Sequence, residues 1–324
     1  MTIRISGTGS ALPEMIRTNF DLEKTVDTSD AWIRERTGIG QRHIAREETV
    51  ASLAAEACRQ ALSSAGAEAG DAELILVASC SAEMLLPCLA CRVQSDIGAV
   101  NAAAFDINAA CAGFLFALQT ANAYIASGMY RNALVVGAEV LSRITDQSDR
   151  STCVLFGDGA GAVFVQACDE PGMGMLGMVQ GSDGGRGAVL QCRAGHYADA
   201  DNEAFPFRDP YIHMEGGEVY KFAVRTVPEC IGQALLQAGL EAEEIDLYIL
   251  HQANIRIIEA IAKRLGVGME RFPHDLERVG NTSSAAIPLL LDELHKSGKI
   301  QRGAKLVLSG FGAGLTYGAC VMRW

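Results

Sequence analysis

A repeat at constant spacing limits what this chain can fold into more than any other feature. Ala61-Leu62-x-x-Ala65-Gly66 recurs as Ala234-Leu235-x-x-Ala238-Gly239, 173 positions on. The apolar run Leu74-Ile-Leu-Val77 meets Leu247-Tyr-Ile-Leu250 at the same spacing, and Asn108 meets Asn281. With a two-residue deletion, Arg131-Asn-Ala133 meets Arg302-Gly-Ala304. One such match carries little weight. A fixed spacing across a helix, a strand and a turn implies two copies of one α/β unit. The halves, 1–170 and 171–324, are expected to pack face to face about a pseudo-twofold axis, so that equivalent loops converge.

Helix and strand patterns alternate along both halves, which predicts βαβ units and a mostly parallel sheet. Strands are expected at 3–7, 73–79, 103–107, 131–139, 245–250, 305–309 and 317–322. Asn19 is a candidate cap for a short helix over 21–26, Ser29 for 30–36, and Thr49 for a helix running to Ala65-Gly66. Phe156-Gly-Asp-Gly-Ala-Gly-Ala162 reads as a tight turn, since it lacks the Lys-Ser/Thr of a phosphate loop. The polar, Gly- and Asp-rich stretch 172–209 reads as a surface excursion or a cap over a site.

Composition excludes several classes. Charged residues make up 20% and hydrophobic ones 49% of the 324 residues, as in a well-buried globular protein. The net charge of −12 argues against nonspecific nucleic-acid binding. No run of about 18 apolar residues is present to span a membrane, and the N-terminus runs straight into a strand pattern without a signal peptide. The 10 cysteines are scattered, several inside helix and strand patterns, which suits a reducing cytoplasm. Cys88 and Cys91 have zinc-knuckle spacing, but no second Cys/His pair lies nearby, so no metal is expected. Gly7-x-Gly9 and Gly310-x-Gly-x-Gly314 are weak dinucleotide signals with the wrong spacing.

Three segments carry chemistry. Cys111 stands where a strand end turns into a helix whose apolar face is Phe114, Leu118, Ala121 and Ile125. Unpaired N–H groups and the positive end of the helix dipole gather there, which favours a thiolate. His251 leaves the strand ending at Leu250, and Asn281 sits in a turn before another helix. All three fall at carboxyl ends of strands or in the following turns, where ligands bind in parallel α/β sheets. A thiolate takes an acyl group while imidazole and amide donors hold an oxyanion. Trp32 and Arg36 share a helix face and offer either a stacking and phosphate-binding surface or a packed Trp beside a solvated Arg. Arg256, Lys263 and Arg264 make a small basic group on an acidic chain.

The segments Asn-Ala-Ala-Cys111-Ala-Gly-Phe, His251-Gln-Ala-Asn-Ile-Arg-Ile and Gly-Asn281-Thr-Ser-Ser-Ala resemble those of β-ketoacyl-acyl-carrier-protein synthase III. So do Thr28-Ser-Asp-x-Trp-Ile-x-x-Arg-Thr-Gly-Ile39, Phe156-Gly-Asp-Gly-Ala-Gly and Gly310-Phe-Gly-Ala-Gly314, in order across the whole chain. The resemblance implies a thiolase-like α/β fold, two mixed-sheet halves in five layers (αβαβα). It implies that Cys111 accepts an acyl group from acyl-CoA, and that malonyl-acyl carrier protein then loses CO₂ and attacks the thioester, initiating fatty-acid synthesis. His251 and Asn281 would bind the malonyl thioester oxygen. The N–H groups of Cys111 and Ala313 would form the other oxyanion hole, with Ala313 where many relatives carry Gly. Thr28, Trp32, Arg36, Arg150 and Asn254 would bind CoA, the adenine lying between Trp32 and Arg150. Lys221, Arg256, Lys263 and Arg264 would dock the carrier protein. Leu141 and Phe156 would line the acyl pocket, and Leu86 would reach across a homodimer to floor the partner's pocket, allowing primers longer than acetyl. No cofactor is implied. A related acyltransferase, or a condensing enzyme of secondary metabolism, is the alternative; the Asn281 segment argues against chain-elongating synthases, which use two His with the Cys.

Overall fold

Thr49 and Asn254 each start a helix by the same local bond. The Thr49 hydroxyl accepts the Ser52 N–H at 3.0 Å, and Asn254 Oδ1 accepts the Arg256 N–H at 2.8 Å. Each satisfies a first-turn donor that has no intrahelical partner. The computed structural model describes residues 1–194 and 209–324. Its first half runs β1 (Thr2–Ala11), β2 (Ile16–Thr18), α1 (Asn19–Leu22), α2 (Asp30–Thr37), β3 (Gln41–His43), α3 (Val50–Ala65), β4 (Leu74–Ala78) and α4 (Leu89–Ile97). It continues through β5 (Ala103–Ile107), α5 (Gly113–Ala126), β6 (Asn132–Val140), α6 (Arg150–Cys153) and β7 (Asp158–Cys168). The second half holds β8 (Gly174–Ser182), β9 (Leu190–Cys192), β10 (Ile212–Met214), α7 (Gly216–Ala238), β11 (Leu247–Leu250) and α8 (Ile255–Leu265). It closes with α9 (Leu276–Val279), α10 (Ala286–Lys296), β12 (Lys305–Gly312) and β13 (Thr316–Arg323).

Two mixed sheets result, ordered β1-β7-β6-β4-β5 and β8-β13-β12-β11. Side chains alternate across them, as strand geometry requires. Leu74 and Leu76 of β4, with Leu306 and Leu308 of β12, face a central core that also holds Phe114 and Leu118 of α5 and Leu290 and Leu294 of α10. Ile75 and Val77 face outward to α3 and α4. Tyr248, Leu250 and Val307 face α7 and α8. Helix, sheet, helix, sheet and helix therefore stack in five layers, the thiolase-like arrangement.

The repeat is visible in the backbone. Gly66 and Gly239 close α3 and α7 in the left-handed conformation, at φ 67° and 64°. Ala110 and Ser283, also 173 apart, both have positive φ (46° and 50°). The two-residue deletion is not needed. Ile75 pairs with Leu134 and Tyr248 with Val307, so the spacing stays at 173 through the next strand. The second copy differs where β5 would recur: α9 stands there, and among the described residues the sheet has four strands.

Three further expectations change. Thr18, not Asn19, caps the first short helix, which ends at Leu22; Asn19 is buried and its amide donates to Ile39 O and Asp30. Asp158-Gly-Ala-Gly161 is strand β7, paired on both edges, rather than a turn. Its glycines serve close packing: a Cβ on Gly161 would sit 2.6 Å from the Leu289 N of α10. Part of the supposed excursion, residues 174–182, is sheet strand β8. Gly7 and Gly9 lie within β1, paired with β7, and form no phosphate loop. Residues 195–208 of the expected cap lie outside the described residues.

Candidate active site

The Cys111 turn starts at the end of β5. Asn108 Oδ1 accepts the Ala110 N–H at 3.3 Å, Ala110 takes its positive φ, and Cys111 sits in the single 3-10 turn before α5. The β12–β13 hairpin presses against it. A Cβ on Gly312 would lie 2.6 Å from the Cys111 N, so only glycine permits this approach. Thr316 Oγ1 secures the contact by donating to Ala109 O at 2.9 Å. Ala313 follows Gly312 in this hairpin.

Asn281 repeats this turn in the other half. Its Oδ1 accepts the Ser283 N–H at 2.9 Å, which leaves the Nδ2 group as the free donor. Its backbone is clasped on both sides, Asn281 N–H to Leu155 O and Gly157 N–H to Asn281 O, each at 2.9 Å. His251 extends β11 by donating its N–H to Ser309 O at 2.8 Å, and its ring packs edge-on against Phe311. It is 3% exposed, and its Nδ1 has no partner among the described residues.

Burial sets the charge of both groups. It drives the His251 pKa down to about 3, so the imidazole is neutral. It pushes the Cys111 thiol up to about 12, opposed by a Ser283 hydrogen bond and assisted by the nearby Glu139 charge. The expected thiolate is thus replaced by a resting thiol: desolvation outweighs the helix terminus, which acts within about one turn.

One cavity of about 640 Å³ is lined by Cys111, His251 and Asn281 and also by Trp32, Arg36, Arg150, Asn254, Arg256 and Phe156. Cys111 keeps intermediate exposure through it, while Trp32, Arg36 and Arg150 are exposed and mark its mouth. The Arg150 guanidinium lies 5.1 Å above the Trp32 ring and donates to Asp27 O at 2.8 Å. Inserting a planar ring between them needs about 7 Å, two contacts of about 3.5 Å, so Arg150 must swing aside. Thr28 follows Asp27 in the chain but is not among the cavity's lining residues, and its hydroxyl is buried without a partner among the described residues. Asn254 lines the cavity and caps α8 at once. Leu141 packs behind Phe156 with Ile212 rather than on the cavity surface.

The other expected residues lie outside this cavity, save Arg256, which lines it. Leu86 is 82% exposed and is not among the residues lining this cavity; Leu85 and Met84 are exposed beside it. Lys221 pairs with Glu218 at 2.7 Å, Arg256 with Glu35 at 3.4 Å and Arg264 with Glu229 at 3.6 Å, while Lys263 is exposed. Leu190 and Met214, on the β9–β10 pair, do cover the cavity. Glu139 was missed altogether. A charged residue ending the apolar run of β6 was its one signal.

The C-terminal model for 3-oxoacyl-[acyl-carrier-protein] synthase III matches residues 235–324, and the companion model for the same synthase matches 105–184. A β-ketoacyl-[acyl-carrier-protein] synthase III of Clostridium acetobutylicum is 47% identical over 100% of this chain and 99% of its own length. The crystal structure of 3-oxoacyl-[acyl-carrier-protein] synthase III from Aquifex aeolicus VF5 superposes with a TM-score of 0.93, at 43% identity, covering 99% of this chain and 100% of that one. The priming β-ketosynthase of the R1128 polyketide pathway gives a TM-score of 0.93 at 36% identity, covering 99% and 96%. With a duplicated five-layer fold and a Cys, His and Asn on one cavity, the chain belongs to the β-ketoacyl-[acyl-carrier-protein] synthase III family of condensing acyltransferases.

Proposed function

We propose that the chain condenses an acyl-CoA primer with malonyl-acyl carrier protein, giving 3-oxoacyl-carrier protein, CO₂ and free CoA. The carrying observation is that Cys111, a neutral His251 and the free amide of Asn281 share one cavity whose mouth is Trp32 and Arg150. The Cys111 sulfur attacks the acyl-CoA carbonyl. Its proton leaves with the CoA sulfur, and an acyl-Cys111 thioester remains. The N–H groups of Cys111 and Ala313 hold the oxyanion of that step. The malonyl group then sheds CO₂. His251 and Asn281 donate to its thioester oxygen as negative charge builds there, and the enolate carbon displaces Cys111. A neutral His251 suits this because it donates one hydrogen bond without carrying a charge into a buried site.

Trp32, Arg36, Arg150, Thr28 and Asn254 bind the CoA. Lys221, Arg256, Lys263 and Arg264 receive the acidic carrier protein. A second copy of the chain covers Met84, Leu85 and Leu86, and Leu86 floors the partner's acyl pocket. Leu in that place admits primers longer than acetyl; rates falling steadily from acetyl- to butyryl- and isobutyryl-CoA would refute it. No resident cofactor enters the reaction, and no helix among the described residues is long and apolar enough to cross a membrane.

The test is intact mass after mixing the protein with a panel of acyl-CoAs, beside Cys111→Ala. An acyl adduct on the wild type alone is expected. No adduct from any CoA would overturn the reading. Product analysis with malonyl-carrier protein then separates condensation from simple acyl transfer.

A further inference from the structure

An arginine is rarely buried outright unless a charge pairs with it. Arg42 of β3 has none of its surface exposed, and no carboxylate pairs with it among the described residues. Its guanidinium is held by neutral oxygens. Nη1 donates to Arg17 O at 3.1 Å and to Asn19 Oδ1 at 2.9 Å, and Nη2 donates to Val154 O at 2.8 Å. Asn19 in turn donates to Asp30 of α2, so a counter-charge stands one residue further on. A planar fork with five donors can serve three such segments at once, where a lysine ammonium is a compact point charge.

What the fork holds is the support of Asn281. Val154 follows the last residue of α6 and leads into Leu155–Gly157. That segment clasps Asn281, whose N–H donates to Leu155 O and whose O accepts the Gly157 N–H. The Arg42 stem backs the clasp: a Cβ on Gly157 would lie 3.1 Å, and one on Gly280 3.3 Å, from the Arg42 Cβ. The far side of the turn rests on buried Glu139, which accepts the Ser283 and Ser284 hydroxyls. From the turn after β4, Glu139 also accepts the Ser79 and Ser81 hydroxyls and the Cys80 N–H. The Cys111 turn is secured separately, by Thr316 and the close approach of Gly312. We propose that Arg42 is a positioning residue for condensation and not for acyl loading: through Val154 it fixes the clasp and so aims the free Asn281 amide. The inference rests on the functional reading above, in which Asn281 acts only on the malonyl thioester.

The two half-reactions are measured separately. Acyl loading of Cys111 at saturating acyl-CoA is timed by intact mass. The preloaded enzyme is then mixed with malonyl-carrier protein, and the 3-oxoacyl product is timed in a single turnover. Arg42→Lys keeps the charge and loses the fork; Arg42→Met fills much of the volume with no charge to desolvate. In both, loading stays within about twofold of the wild type while condensation falls about tenfold or more, the cost of a misplaced group. In an Asn281→Ala background, Arg42→Lys slows condensation no further, because the group it aims is gone. An arginine that served only stability would slow both half-reactions together, and its effect would multiply with that of Asn281→Ala. Unchanged condensation, an equal loss in both half-reactions, or multiplied effects in the double variant would overturn the proposal. If Arg42→Lys does not fold, Arg42→Met decides by the same split and the same cycle. A wild type that does not load, or loads and does not condense, would sink the functional reading and the proposal with it, and that failure shows before any variant is compared.

Discussion

Asp275 shows how one buried side chain writes a pH dependence into the molecule. It precedes α9, is 5% exposed, and its Oδ1 has no partner among the described residues. Burial, helped by Glu293 and opposed by Arg278, raises its pKa from 3.8 to about 7. Below 3.8 the carboxyl is protonated in folded and unfolded chains alike and contributes no slope. From 3.8 to about 7 the unfolded chain gives up its proton while the fold keeps it, so stability falls as pH rises and levels off above about 7. Each tenfold difference in proton affinity is worth about 1.4 kcal/mol, so the loss amounts to a few kcal/mol. Asp275→Asn is neutral in both states. Its melting temperature relative to wild type should climb by several degrees between about pH 4 and about pH 8; a constant difference would refute the assignment. His251 has the reverse logic. A pKa of about 3 keeps it neutral over the working range, so the acid limb of activity should not report its titration.

At the scale of elements, α8 and the β12–β13 hairpin each do two jobs. Asn254 caps α8 and lines the cavity, and the variants separate these roles. Asn254→Ser preserves an N-cap oxygen and stability, whereas Asn254→Ala loses about 1 kcal/mol. A rise in KM for acyl-CoA common to both variants marks the cavity role; an unchanged KM would leave Asn254 a cap only. Gly312→Ala places a methyl against the Cys111 backbone at 2.6 Å. Because the clash is with backbone, the hairpin must retreat. The rate of acyl loading, read by intact mass, should fall about tenfold or more while the fold persists. Loading at the wild-type rate would show that the hairpin does not set the nucleophile turn.

For the whole molecule, the proposed docking of an acidic carrier can be tested through charge. The chain carries a net −12, yet Lys221, Lys263 and Arg264 are exposed together on α7 and α8. Screening tightens from about 30 Å at 0.01 M salt to about 8 Å at 0.15 M. KM for malonyl-carrier protein should therefore rise several-fold with ionic strength, and Lys263→Ala should flatten the rise. A salt-independent KM would place docking elsewhere. Much of this architecture was legible beforehand. The repeat of Leu74–Val77 at Leu247–Leu250, the cap at Thr49 and the glycine stops are local signals, written in residue type and spacing. Cys111 and His251 stood out because each follows a strand end that the pattern marks, and Asn281, which follows α9, because it repeats Asn108 at 173 positions. What escaped was non-local. The glycines of β7 looked like a turn because their partner, α10, is more than a hundred residues away. The Cys111 ionisation state was misjudged because the helix terminus is visible in sequence whereas the surrounding protein is not. Glu139 gave almost no sign, since its five donor residues come from two distant turns. The sequence by itself determined the duplicated α/β plan and the candidates for the reacting side chains, because periodicity and local segment chemistry are properties of neighbours along the chain. Only the tertiary structure decided their protonation, their free donor atoms and the buried carboxylate behind them, because desolvation and hydrogen bonding depend on which distant segments close over each group.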